Sequence, residues 1–163
     1  MTKWVNNDGL EVLFGSSKSV KRTGGETDHS GSLRELHFSI TGTDVPATDA
    51  PIDKRLTIPS GAYIDEAVIN VTTAFGSGGS ATLDIGLMLD DGDGTYSTLD
   101  DNGIDAALAH GTLVDNYRVV MNGAQINTTV TDSSNGLPLA LSYGYDTAVF
   151  TAGVADIVIK YRV

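Results

Sequence analysis

The chain has 163 residues, a length that suits one domain with an appended arm. Its formal charge is -11, from 10 Lys+Arg against 21 Asp+Glu; such a surface repels phosphate backbones and argues against nucleic acid as a partner. No cysteine is present, which excludes disulfides and thiolate metal sites.

Residues 1–33 differ from the rest. Trp4, Val5, Leu10, Val12, Leu13 and Phe14 supply apolar side chains, whereas Gly15 to Ser32 is dominated by Gly, Ser, Thr and charge. That second half cannot form much regular structure. A short sticky segment on such a tether suits an arm that docks elsewhere, with Trp4, Leu10, Val12, Leu13 and Phe14 as its partner-binding residues. The alternative is that Val12–Phe14 forms an edge strand of the main domain, residues 34–163. The first residues hold no apolar stretch of signal-peptide length, and no apolar run approaches the roughly 18 residues of a membrane span. The expectation is a soluble protein made in a cytoplasm, with no membrane partner.

From Leu33 the pattern has a period of two, the mark of a strand with one buried face. Leu36, Phe38 and Ile40 alternate with His37 and Ser39. A loop with Pro46 and Pro51 leads to a short strand at Arg55–Ile58, stopped by Pro59. Ala67, Ile69, Val71, Thr73 and Phe75 share one face of a long strand, and Ala81, Leu83, Ile85, Leu87 and Leu89 one face of another. The glycine-rich turn between them predicts a hairpin. After the acidic loop Asp90 to Asn102, the spacing of Ile104, Ala107 and Leu108 predicts the one short helix, ended by Gly111. Further strands are predicted at Thr112–Val114, Tyr117–Met121, Gln125–Val130 and Leu137–Tyr143, with a short pairing at Thr147–Phe150. Thr151-Ala152-Gly153 then turns the chain into a final strand with Ala155, Ile157, Ile159, Tyr161 and Val163 on one face. Eight or nine short strands imply an all-β sandwich or barrel, which at this size folds without staples. Val68, Ala74, Met88 and Val158, on opposite faces, suit coverage by the arm or a neighbouring subunit.

Chemistry-bearing motifs are scarce. In Asp90-Asp91-Gly92-Asp93-Gly94-Thr95, a calcium loop opening at Asp91 would put Tyr96 where glycine is required and Asn102 where a bidentate Glu is expected. A solvated turn is the expectation, and no metal ligand or cofactor is assigned. His29, His37 and His110 show no ligand spacing, and no serine sits in a nucleophile elbow, so no catalytic residue is assigned and the chain is not read as an enzyme. The basic cluster Lys18, Lys21 and Arg22 reads as a solvated loop.

Over residues 54–163 the order of strand-and-turn phrases resembles the jelly-roll decoration (cement, or head-stabilising) proteins of tailed bacteriophages. The phrases are Leu56-Thr57-Ile58-Pro59-Ser60-Gly61-Ala62-Tyr63-Ile64, Ile69 to Phe75, and Leu83-Asp84-Ile85-Gly86-Leu87 running into an Asp/Gly loop. Gly103–Ala109, Asn122-Gly123-Ala124 and Thr151 to Tyr161 complete the series. The resemblance implies an eight-stranded jelly roll with one short helix and an extended N-terminal arm. It implies a homotrimer on the outer capsid surface, partnered by the major capsid protein and free of catalysis and cofactors. Related jelly rolls serve as carbohydrate- or receptor-binding modules of head fibres and tails, which stand as the alternative.

Overall fold

Period-two alternation along this chain becomes antiparallel pairing almost throughout. A computed structural model describes residues 2–5, 11–14, 33–132 and 135–163. The chain divides into two compact units, Met1–Ser30 and Gly31–Val163. In the first, β1 (Thr2–Val5) and β2 (Glu11–Phe14) form an antiparallel sheet of their own, with Thr2 opposite Phe14 and Trp4 opposite Val12.

The described residues of the second unit form ten strands: β3 (Arg34–Thr41), β4 (Ala50–Pro51), β5 (Thr57–Ile58), β6 (Ala62–Ser77), β7 (Thr82–Asp90), β8 (Tyr96–Ala109), β9 (Tyr117–Val120), β10 (Thr129–Val130), β11 (Leu139–Asp146) and β12 (Phe150–Arg162). They make two antiparallel sheets, a β-sandwich. The first runs β10-β6-β12-β3, with β9 also on β6; the second runs β4-β11-β7-β8, with β5 also on β11. The inner faces meet in one core. Ile64, Ile69, Ile157 and Ile159 of the first sheet and Leu83, Ile85, Leu87, Leu139 and Leu141 of the second are all fully buried. Phe75 and Phe150 close one end edge to face, 5.3 Å between ring centroids.

The glycine turn at 76–80 does not join a hairpin. β6 lies beside β12 and β7 beside β8 and β11, so the turn carries the chain from one sheet to the other. Alternation shows that each strand has a buried face; it does not distinguish a neighbour alongside from one across the core.

The expected helix at Gly103–Ala109 is strand. Between the pairs Leu83–Leu108 and Ile85–Asp105, β8 spends three residues against two on β7. Across this irregular stretch the buried apolar residues are Ile104 and Leu108, four positions apart as on one face of a helix, while Ala107 is exposed. Ala107 takes a positive φ of 56° there, and its N–H is held by Asp84 Oδ1 at 2.6 Å. Helical structure in this region is a single 3-10 turn, His110–Thr112, which also replaces the strand expected at Thr112–Val114.

Smaller differences have local causes. Gln125–Val130 pairs only at Thr129–Val130, because Asn127 adopts a φ of 61° and breaks the extension. Phe150 and Thr151-Ala152-Gly153 belong to β12 itself, whose irregular register from Phe150 to Ala155 absorbs Gly153 at a φ of 132°. A β-carbon at Gly153 would strike the Phe75 ring, so this glycine admits the aromatic end of the core.

Candidate functional site

Of the apolar residues predicted to bind a partner, Trp4, Val12, Leu13 and Phe14 lie on the β1–β2 sheet, while Leu10 falls outside the described residues. The Lys18, Lys21 and Arg22 cluster and His29 also fall outside them.

On the outer face of the first sheet, register sets His37, Val158, Val68 and Val120 side by side across four strands. Val68 is 4% exposed, whereas Val120 is 54% exposed. The two other outward apolar residues singled out in the sequence are also partly covered: Met88 is buried and Ala74 half-buried. Next to this row lies a depression of about 400 Å³ lined by His37, Ser39, Asn70, Asp156 and Val158 among others. Ser39 Oγ donates to Asp156 Oδ1, and His37 Nε2 lies 2.9 Å from Glu35. Serine activation needs the serine bonded to an imidazole that a carboxylate orients. Here the serine goes straight to the carboxylate, and the depression lacks that order of bonds. Below the apolar row, Lys160 Nζ donates to Glu66 at 3.0 Å and Arg118 to the same carboxylate at 3.3 Å. Lys160 foremost holds the Glu66 carboxyl below its ordinary range. Arg162 pairs with Asp65 and stands over the Tyr63 ring at 5.2 Å.

The acidic segment after β7 is a turn whose carboxylates serve the turn. Asp90 Oδ1 accepts from Gly92 N at 2.8 Å, Asp93 Oδ1 from Thr95 N at 2.9 Å, and Asp91 Oδ1 from Ser97 Oγ at 3.0 Å. Bonds from the Thr95 hydroxyl and amide lower the Asp93 pKa. Gly92 and Gly94, at φ of 81° and 91°, allow the reversal.

A second acidic group was not visible in the sequence. Asp49, Asp84, Asp101 and Asp146 come from four separate segments and converge on the outer face of the second sheet. Burial raises the Asp49 pKa first, and then repulsion from Asp101, Asp84 and Asp146. Asp84 is raised by burial and by Asp146 and Asp101, against a lowering bond from Ala107 N. Asp105, 4% exposed, is raised by burial despite accepting a bond from Asn122 N at 3.2 Å. No short motif places these residues together; strand register does.

The chain matches no protein-family model and no curated protein. Its fold does match solved structures. A chain in the capsid of Ralstonia phage GP4 aligns over 86% of this chain and 90% of its own length, with a TM-score of 0.53 and 20% identity. A chain in the capsid asymmetric unit of cyanophage Pam1 aligns over 91% of this chain and 97% of its own, with a TM-score of 0.56 and 15% identity. The protein therefore shares its β-sandwich fold, over most of its length, with chains found in two phage capsids.

Proposed function

We propose that this protein is a structural component of a tailed-phage virion: a jelly-roll decoration protein that binds the outer surface of the capsid and stabilises it. The observation that carries this reading is the likeness in fold to chains of two phage capsids, covering 90% and 97% of those chains. The protein acts as a homotrimer, without catalysis or cofactor, and is made in the host cytoplasm. Its partner is the major capsid protein, contacted through the N-terminal arm with Trp4, Leu10, Val12, Leu13 and Phe14.

Three physical points support the assignment. A protein that binds the mature lattice and no other state stabilises that lattice by mass action. Many symmetric copies contribute avidity, so each contact can be weak. A two-stranded sheet such as β1–β2 is marginal by itself and gains most from docking.

The test is co-sedimentation of purified protein with expanded, undecorated capsids of the parent phage, with imaging of the pellet. Saturable binding at regular lattice positions is the expected result. Absence from the capsid, with the protein located instead on a fibre or tail, would overturn it in favour of a receptor-binding module.

A further inference from the structure

Three Asn-Gly pairs occur in this chain, at 102–103, 122–123 and 135–136. Such a pair is chemically labile wherever the backbone can bend. Glycine has no side chain to obstruct its own nitrogen, which can reach the asparagine carboxamide carbon and close a five-membered ring. The fold treats the three pairs differently. Asn102-Gly103 lies within β8, between the pairs Leu87–Asp100 and Ile85–Asp105 where the register is irregular. Gly103 is buried, and a β-carbon on it would strike the Asp100 carboxylate and the Gln125 side chain. Asn122-Gly123 follows β9. The Gly123 N–H, which would have to attack, donates to Ile104 O at 2.9 Å, and a β-carbon there would overlap the backbone of Gly103 and Ile104. Asn135-Gly136 precedes β11 and belongs to no strand. Both residues are exposed, Gly136 has a φ of 65°, and the space beside its Cα is open. The carboxylate of buried Asp132 accepts from Asn135 N at 3.1 Å and from Leu137 N at 3.2 Å. Neither bond engages the Asn135 side chain or the Gly136 N–H.

We propose that Asn135 is a modification site, the position at which the folded protein deamidates spontaneously. The Gly136 nitrogen gives up its proton to base and attacks Asn135 Cγ. The carboxamide C–N bond breaks, and ammonia leaves carrying the proton. The succinimide so formed takes up one water. Opening at Cγ gives aspartate, and opening at the backbone carbonyl gives isoaspartate, in which the chain runs through the side chain. The balance is one amide and one water in, one carboxylate and one ammonium out, with no oxidant, reductant or cofactor. Either product adds a negative charge to a chain already at -11, and places it next to Asp132. Isoaspartate also adds one carbon to the backbone. Asn135 N and Leu137 N then no longer match the two oxygens of Asp132, and the entry to β11 loosens. Because the reaction needs no partner, it marks the age of each copy.

The test uses the full chain, incubated warm in mildly alkaline buffer free of ammonium. Peptide mapping by mass spectrometry follows the gain of a single mass unit at each Asn-Gly pair, and methylation by an isoaspartyl methyltransferase reports the isoaspartate. In the folded protein Asn135 should convert about tenfold or more faster than Asn102 and Asn122, which react only after local opening. In concentrated guanidinium chloride the three rates should converge, since packing no longer separates them. Asn135→Ser should remove the fast phase of ammonia release and leave the slow phase. In converted protein, hydrogen exchange at the Leu137 amide should speed up. The proposal is overturned if Asn135 is no faster than the other two in the folded state, if its lead persists undiminished in denaturant, or if Asn135→Ser keeps the fast phase. Unchanged exchange at Leu137 would overturn the loosening of β11.

Discussion

Truncating Ile157 to alanine tests the sandwich most directly. Ile157 lies in the middle of β12, directly between Phe38 on β3 and Ile69 on β6, and is fully buried. The change removes three carbons, worth about 0.8 kcal/mol each in transfer free energy. Strands on both sides hold the surrounding side chains in place, so the void collapses only in part and adds a further cost. The total should be about 3–4 kcal/mol, within the range of buried Ile→Ala changes. For a domain of this size that corresponds to a fall in melting temperature of roughly 10–15 °C. Its neighbour Asp156 faces outward and is exposed, bonded to Ser39. Asp156→Ala should cost less than about 1 kcal/mol. The assay is urea denaturation of both variants, followed by fluorescence and far-ultraviolet circular dichroism. Equal losses in the two variants, or a larger one at Asp156, would refute the register of β12 and with it the assignment of the core face.

Other perturbations probe other parts of the molecule. Ile159→Asp, which places an unpaired charge in the core, should prevent folding, to be judged by soluble yield and circular dichroism. Gly86→Ala should destabilise by about 1–3 kcal/mol in the same urea assay, because the obstacle is β8 backbone that cannot rotate away. Asp49, Asp84 and Asp105 are each held above their ordinary value of 3.8. The folded state therefore binds their protons more tightly than the unfolded chain does. Their stabilising contribution is complete below pH 3.8 and is lost as pH rises through the raised folded values. Asp84→Asn should accordingly melt higher than the parent at pH 7, with the difference vanishing by about pH 3.5. The opposite sign holds for Asp53, lowered to about 2 by its bonds with Arg55, whose contribution appears above 3.8 and fades as pH falls through 2. Deleting residues 1–33 should leave a folded body that no longer co-sediments with capsids; unchanged binding would remove the arm from the interface.

Much of the sandwich was legible because each long strand shows its buried face in its own residues. β3, β6, β7 and β12 all contain the stretches where the alternation of Leu, Ile, Val and Phe places them, whereas β11 is shifted, Leu139–Asp146 in place of Leu137–Tyr143. Pairing was harder to read. The strands on either side of Gly76–Ser80 have equal claims to be neighbours or opposites, and the sequence holds no term for the far sheet. β8 was misread because its irregular register leaves Ile104 and Leu108 buried four positions apart, a spacing shared with a helix, with the exposed Ala107 completing the helical pattern by chance. The carboxylate cluster was illegible for a different reason. Asp49, Asp84, Asp101 and Asp146 belong to four separate segments, and only the pairing of β11 with β7 and β4, and of β7 with β8, brings those segments together.

The position of β12 bears on how the protein is made. It lies between β3 and β6, yet it leaves the ribosome after both, separated from β3 by most of the body. Until it is synthesised, β3 has no strand to pair with in its sheet and β6 presents an open edge, each with apolar side chains facing outward. The nascent chain therefore cannot close its first sheet during elongation, and the closing contacts are among the most distant in sequence that this fold contains. Such an order favours slow, late folding and exposes adhesive strand edges to other chains. Soluble yield should accordingly improve when fewer chains are made at once, because fewer incomplete sheets are then present together to meet through their open edges.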